Sequence, residues 1–341
     1  MRRSGGVLFR WDRSNRTLGM IVAVALAVAA CAGPGGMVQP DSSGATFTEQ
    51  LNGVFFINAS EGWVVGNNGT LLHTRNGGAT WTSEPSGTTQ DLKSVRFSND
   101  NTGWIVGNNG TILQTISGGL GWIRQNSGTE NRLNRVFFNK DDTQSGWAVG
   151  DNGTILHTAN GGFSWVAQTG AGSGLLNDVF FKDSDHGWIV GDSGLILYTD
   201  SGTKGAIWSV QVSGTTRGLT AVYSIGNTVY AVGDAGTILL NVPLGSGGAS
   251  LWVRQPPTAA AGLLADVFFA DASNGWIVGD GGMLLQTTDG GKIWVPRTTR
   301  TDVTLRSVYF IDSRTGWTVG DNGTILHTVD GGIFWIKQFK M

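Results

Sequence analysis

The chain has a single cysteine, Cys31, so no internal disulfide can form. It has only four glutamates, four tyrosines and four histidines in 341 residues, which leaves little material for paired-carboxylate, phenolate or multi-histidine metal chemistry. Charged residues make up 14%, the net charge is −2 and the pI lies near 6.1, so no global basic field exists to attract nucleic acid. Proline is scarce and no helix-forming run interrupts residues 51–339, which argues against a helical solenoid.

Glycine and tryptophan are abundant instead, at 54 and 14 copies. Thirteen of the tryptophans fall into two slots of a motif repeated seven times. The first slot holds Trp63, Trp104, Trp147, Trp188, Trp276 and Trp317, each after a glycine, with Tyr230 in the fifth copy. The second holds Trp81, Trp122, Trp165, Trp208, Trp252, Trp294 and Trp335. First-slot spacings of 41 to 46 residues mark a radial or stacked repeat.

Within one copy, Leu305–Phe310 reads as a strand, Trp317–Gly320 as a second and Thr324–Thr328 as a third, with a short fourth around Trp335. Asp321-Asn322-Gly323 supplies the residues that tolerate positive φ in a tight hairpin. The expected fold is all-β: a seven-bladed β-propeller with four-stranded antiparallel blades, in which tryptophans fill the seams between wedges. The copies span about 51–86, 92–128, 133–170, 176–214, 219–256, 264–300 and 305–339. Gly44–Phe47 echoes Gly78–Trp81, so the pattern leaves two closures open: seven self-contained blades, or a last blade with an added N-terminal strand.

Upstream, Arg2, Arg3, Arg10, Arg13 and Arg16 precede an uncharged apolar run, Leu18–Ala30, too short for a confident membrane span. The run ends in Val28-Ala-Ala-Cys31 and resembles the bacterial lipoprotein signal. Residues 1–30 are then a signal peptide, Cys31 the lipidated first residue, and 31–50 the lipidated cysteine with a flexible tether. An ordinary secretory signal or a signal anchor is the competing reading.

The turn between the third and fourth strands, as in Thr74-Arg-Asn76-Gly77-Gly78-Ala-Thr80-Trp81, resembles the Asp box of sialidases and related propellers. Thr158–Trp165, Thr287–Trp294 and Thr328–Trp335 match closely, Thr115–Trp122 and Thr199–Trp208 loosely, and the fifth copy has Pro243–Ser250 instead. The box implies fold, not activity. The whole repeat, Gly-Trp-x-Val-Gly-Asp-x-Gly-x-Ile-Leu-x-Thr-x-Asp-Gly-Gly-x-x-Trp, resembles the photosystem II stability and assembly factor family of cyanobacteria and plants across residues 51–339. That resemblance implies a non-catalytic, lumen-facing or otherwise extracytoplasmic propeller. It implies binding to newly made membrane-protein subunits through an arginine-rich surface; a monomer without a cofactor is expected.

The alternatives are an Asp-box glycosidase and a carbohydrate-binding propeller. All four tyrosines, Tyr198, Tyr223, Tyr230 and Tyr309, occupy repeat slots, and the glutamates Glu49, Glu61, Glu84 and Glu130 fall in loops. His73, His157 and His327 share one slot in different copies, so they point along different radii and do not form a metal centre. Asp-x-Gly turns lack the spacing of a calcium loop.

Residues that depart from the repeat are the candidates for function. Two positions after the leading leucine the copies read Gly53, Ser94, Arg135, Asp178, Ala221, Asp266 and Ser307. Arg135 and Asp178, in neighbouring copies, are expected to lie within ion-pair range, with Asp266 completing a polar channel site. The loops leading into the first strands carry Lys93 and Arg96, Arg132 and Arg135, Arg217, Arg297, Arg300 and Arg306. They are expected on the same face as the Asp-x-Gly hairpins, forming a partner surface suited to arginine's planar donors.

Overall fold

The computed structural model describes residues 48–338 except 141, 171, 203–206, 244–249 and 257–261. The signal, Cys31, the tether up to residue 47 and the Gly44–Phe47 echo lie outside the described residues. Seven sheets follow one another, each of four sequential antiparallel strands. Blade one is Leu51–Phe56, Gly62–Gly66, Leu71–Thr74 and Thr82–Ser83. The inner strands of the others are Leu92–Phe97, Leu133–Phe138, Leu176–Phe181, Leu219–Ile225, Leu264–Phe269 and Leu305–Phe310. Each inner strand packs beside the next, and that of blade seven packs beside that of blade one, so the ring closes.

Two local features set the shape of every blade. The hairpin after the second strand turns on a residue in the left-handed region followed by glycine, as at Asn152 (φ 54°) and Gly153 (φ 65°). The N–H of that glycine then bonds the loop leading into the next blade, as Gly110 does to the Asn131 carbonyl (2.9 Å) and Gly282 to that of Val303 (2.7 Å). Gly323 of blade seven bonds Glu49 (2.8 Å) and Asn67 of blade one bonds Gln50 (2.9 Å). Glu49 and Gln50, expected to be flexible tether, are therefore part of the ring. Blade seven draws its four strands from residues 305–337, and no N-terminal strand joins it among the described residues.

The first-slot tryptophans are the seams. Trp104 lies 3.4 Å, centroid to centroid, from Phe138 of the next blade and within 6° of parallel. Trp147 stacks on Phe181, Trp276 on Phe310 and, across the closure, Trp317 on Phe56 at 3.5 Å. Such pairs add about 0.5–1.5 kcal/mol beyond the area they bury. Trp317 also donates Nε1–H to the Gly77 carbonyl of the blade-one Asp box (3.0 Å), and Trp276 bonds Gly331 in the same way (2.9 Å). All first-slot residues are buried, as are the second-slot tryptophans except the half-buried Trp122.

Candidate functional site

The hub is lined by the inner strands. At the fifth position of each stand Phe55, Arg96, Phe137, Phe180, Tyr223, Phe268 and Tyr309. Centroid distances of 4.6–5.2 Å link Phe137 to Phe180, Phe180 to Tyr223, Tyr223 to Phe268, Phe268 to Tyr309 and Tyr309 to Phe55. Arg96 closes the belt, its guanidinium 5.3 Å from the Phe55 ring and 5.1 Å from the Phe137 ring, with Nε donating to the Phe138 carbonyl (3.1 Å). Burial lowers the Arg96 pKa, partly offset by Tyr309 and Tyr223. Arg96 was expected on the leading-loop surface; its place in the middle of an inner strand puts it in the hub instead.

One layer away sits the polar cluster. Arg135 Nε is 2.9 Å from Asp178 Oδ1, and its Nη2 reaches Asp266 Oδ1 of blade six at 3.6 Å. One side chain thus ties blades three, four and six. Each carboxylate is also committed to the backbone: Asp178 accepts from Val179 and from Val222 of blade five (both 2.8 Å), and Asp266 from Val267, Val308 and the Ser307 hydroxyl (each 3.0 Å). Burial pushes the Asp178 carboxyl up to about 6, with Arg135 pulling it back; Asp266 is raised for the same reason. Burial opposes the Arg135 charge, but Asp178 and Asp266 outweigh it and hold its pKa above the ordinary value. Arg135, expected on the partner surface as well as in the channel, lies in the channel alone.

This cluster brings together carboxylates and phenols of the kind glycosidases use, but the space among them is small. The space among these residues has a volume of about 40 Å³. That admits about three waters at ~10–15 Å³ each, against the several hundred Å³ of an ordinary ligand pocket. Among the described residues the tryptophans form no exposed flat platform of the kind sugar binding requires, because all but the half-buried Trp122 are buried.

The remaining basic residues lie beside the hairpins, and three of the six, Lys93, Arg132 and Arg306, are held by carboxylates. Arg132 contacts Asp151 of its own hairpin (Nη2–Oδ1 3.0 Å), and Arg306 grips Asp321 with Nε (2.6 Å) and Nη2 (3.3 Å). Lys93 lies 3.2 Å from Asp91. Arg297 instead bonds Gln286 (2.7 Å). Arg217 and Arg300 are exposed and have no ion pair among the described residues; Arg300 is held at φ 60°. The sequence reading missed these hairpin carboxylates as partners, although Asp recurs at the first turn position in five of seven copies.

The same register uses asparagine as a stitch. Asn52, Asn134 and Asn177, each second in an inner strand, donate to the carbonyls of Leu92, Leu176 and Leu219 in the following blade, all at 2.8 Å. The shared-slot histidines are structural: His73 and His327 stack on Trp63 and Trp317, and burial lowers the pKa of His73, His157 and His327. In the Asp boxes, Thr74 Oγ1 accepts from Gly78 (2.9 Å) and Asn76 Oδ1 from Thr80 (2.9 Å), locking the turn on itself.

Fold and site together define a seven-bladed Asp-box propeller with a plugged hub, whose larger hollows are open grooves beside the hairpins, about 830 Å³ next to Asp192 and Arg217 and about 720 Å³ next to Asp280 and Arg300. The family model described as photosynthesis system II assembly factor YCF48 matches residues 86–169 and 249–339, just over half of the chain, and the chain belongs to that family. Among solved structures it is similar to one described as YCF48 bound to D1 peptide (21% identity, TM-score 0.69, covering 83% of this chain and 94% of that one). It is similar also to YCF48 from Cyanidioschyzon merolae (22% identity, TM-score 0.67, covering 83% and 97%). No curated protein sequence matches it.

Proposed function

We propose that the chain is a non-catalytic, extracytoplasmic assembly or scaffolding factor, held at a membrane by lipid on Cys31, that receives a peptide segment of a membrane-protein subunit on its hairpin face. The observation that carries this reading is the state of the basic residues on that face. Arg132 and Arg306 are gripped from one side by Asp151 and Asp321, with side chains still 39% and 33% exposed. A guanidinium held in this way is pre-oriented and keeps donors for an incoming carboxylate or backbone carbonyl. Family membership supports the assembly role, and the D1 peptide held by one structural relative supports a peptide as the partner. The plugged hub supports a non-catalytic reading, since both buried carboxylates are already engaged.

The test is recovery of proteins cross-linked to the native form in membrane extracts, identified by mass spectrometry, against a variant carrying Arg132→Ala, Arg300→Ala and Arg306→Ala. Recovery of the partner should fall by roughly tenfold or more, since hydrogen bonds to charged groups are each worth about 1.5–3 kcal/mol. Undiminished recovery overturns the hairpin-face reading. Metabolic labelling with a fatty-acid probe, lost in Cys31→Ser, tests the anchor separately.

A further inference from the structure

Blade five departs from the repeat at its outer edge. The outer strands of the other blades have two or three residues, and that of blade six ends in Pro296. In blade five the outer strand is Ser250–Arg254, five residues long, paired with Thr237–Pro243. The ladder phase follows from Gln255, whose N–H bonds the Ile238 carbonyl (2.9 Å). Counting back through the register, residues 251 and 253 exchange ladder bonds with Val242 and Leu240. The N–H and C=O groups of Ser250, Trp252 and Arg254 therefore point away from the sheet.

The side chains along this edge are apolar and open. Leu251 is 50% exposed, Val253 42% and Val242 37%, on one face of the sheet by their cross-strand pairing. Arg254 is exposed and has no ion pair or hydrogen bond among the described residues. Natural edges are usually kept short or blunted by charge, proline or bulges. This one has length, a free backbone ladder, an apolar strip and one unpaired cation.

We propose that the outer edge of blade five is a second recognition site, which takes an extended acidic–apolar peptide as a fifth strand. The peptide backbone pairs with Ser250, Trp252 and Arg254, its alternate apolar side chains lie beside Leu251 and Val253, and a carboxylate meets Arg254. The unpaired cation selects this occupant over a second copy of the chain: antiparallel self-pairing would bring Arg254 opposite Ser250 at both ends and supply no carboxylate. This site uses none of the residues named for the hairpin face and does not depend on them.

The experiment uses the full chain and a fluorescein-labelled hexapeptide of alternating valine and glutamate, with a valine–lysine hexapeptide as the opposite-charge control. Fluorescence anisotropy should show saturable binding of the first and none of the second. On binding, hydrogen exchange should slow at the amides of Trp252 and Arg254. Arg254→Gln should weaken binding by roughly tenfold through loss of the charge-assisted bond. Arg254→Pro, which removes an outward N–H and leaves the ladder intact, should abolish it, as should Leu251→Asp. Equal binding of both peptides, protection elsewhere on the ring, or full binding by Arg254→Pro overturns the proposal. So does a concentration-dependent dimer in sedimentation that Arg254→Pro dissolves, which would make the occupant a second copy.

Discussion

The seam between blades two and three and the seam between blades four and five solve the same packing problem differently. In the first, Trp104 lies flat on Phe138, and Gly146 is glycine because a Cβ there would enter the Phe138 ring. In the second, the position of the phenylalanine is Ser224 and that of the glycine is Val229, paired directly across the strands. Trp188 loses its stacking partner, contacts Tyr198 at 5.3 Å instead, and its Nε1 finds no acceptor among the described residues. Trp104, Trp276 and Trp317 donate to an Asp-box carbonyl, whereas Trp188 shares the unpartnered Nε1 with Trp63 and Trp147. A polar contact also crosses this seam, the Asp178 carboxylate accepting the Val222 N–H, as Asp266 accepts from Val308 across the stacked seam between blades six and seven. The glycine that precedes each first-slot tryptophan therefore makes room for the neighbouring ring, and the seam between blades four and five packs its apolar side chains without that ring stack.

The largest expected effect separates the two tryptophans. Trp104→Ala should destabilise by roughly 3–5 kcal/mol in urea unfolding, whereas Trp188→Ala should cost about 1 kcal/mol less because no stacked pair is lost. Equal costs would erase the distinction between the seams. Next comes pH. Because the folded Asp178 binds its proton more tightly than an exposed carboxylate does, the stability it contributes is complete below about pH 4 and is lost as pH rises through about 6. The loss is on the order of 3 kcal/mol, at about 1.4 kcal/mol per pKa unit. Asp178→Asn should flatten that part of the stability–pH curve. Arg135→Met should move the fall to higher pH and destabilise most at pH 8, and a curve unchanged by either would show that ionisation of Asp178 does not govern this part of the stability.

A smaller effect sharpens the comparison further. Gly146→Val alone should cost about 1–3 kcal/mol by overpacking against Phe138. Joined with Phe138→Ser, which rebuilds the blade-five pairing, it should cost less than the two single changes combined, with a coupling of at least about 0.5 kcal/mol. Strict additivity would mean that the Ser224–Val229 pair has no packing logic. Smallest of all, Arg306→Ala should change stability by no more than about 1 kcal/mol, as expected for a partly exposed ion pair, while still weakening partner recovery.

Blade number, strand order and the burial of the tryptophans were legible because a period near 42 residues and a glycine–tryptophan pair repeat with little variation. The register that brings Arg135 to Asp178 was legible for the same reason, as both occupy one slot in adjacent copies. Arg96 was misplaced because a basic residue near the start of a copy looks the same in sequence whether it ends in a loop or on an inner strand. The reach of Arg135 across the ring to Asp266, and the role of Glu49 and Gln50 in closure, depend on contacts between segments far apart in the chain.

The sequence by itself determined the wedge: alternating strands, turns that need positive φ, and aromatic residues at heights that must stack. That much is local periodicity, which any one copy states. Only the tertiary structure decided that the hub is plugged, that Lys93, Arg132 and Arg306 are already held by carboxylates, and that blade five leaves an edge open. Those outcomes depend on which side chains seven separate strands bring to one axis or one rim, and distance around a ring is not written in distance along a chain.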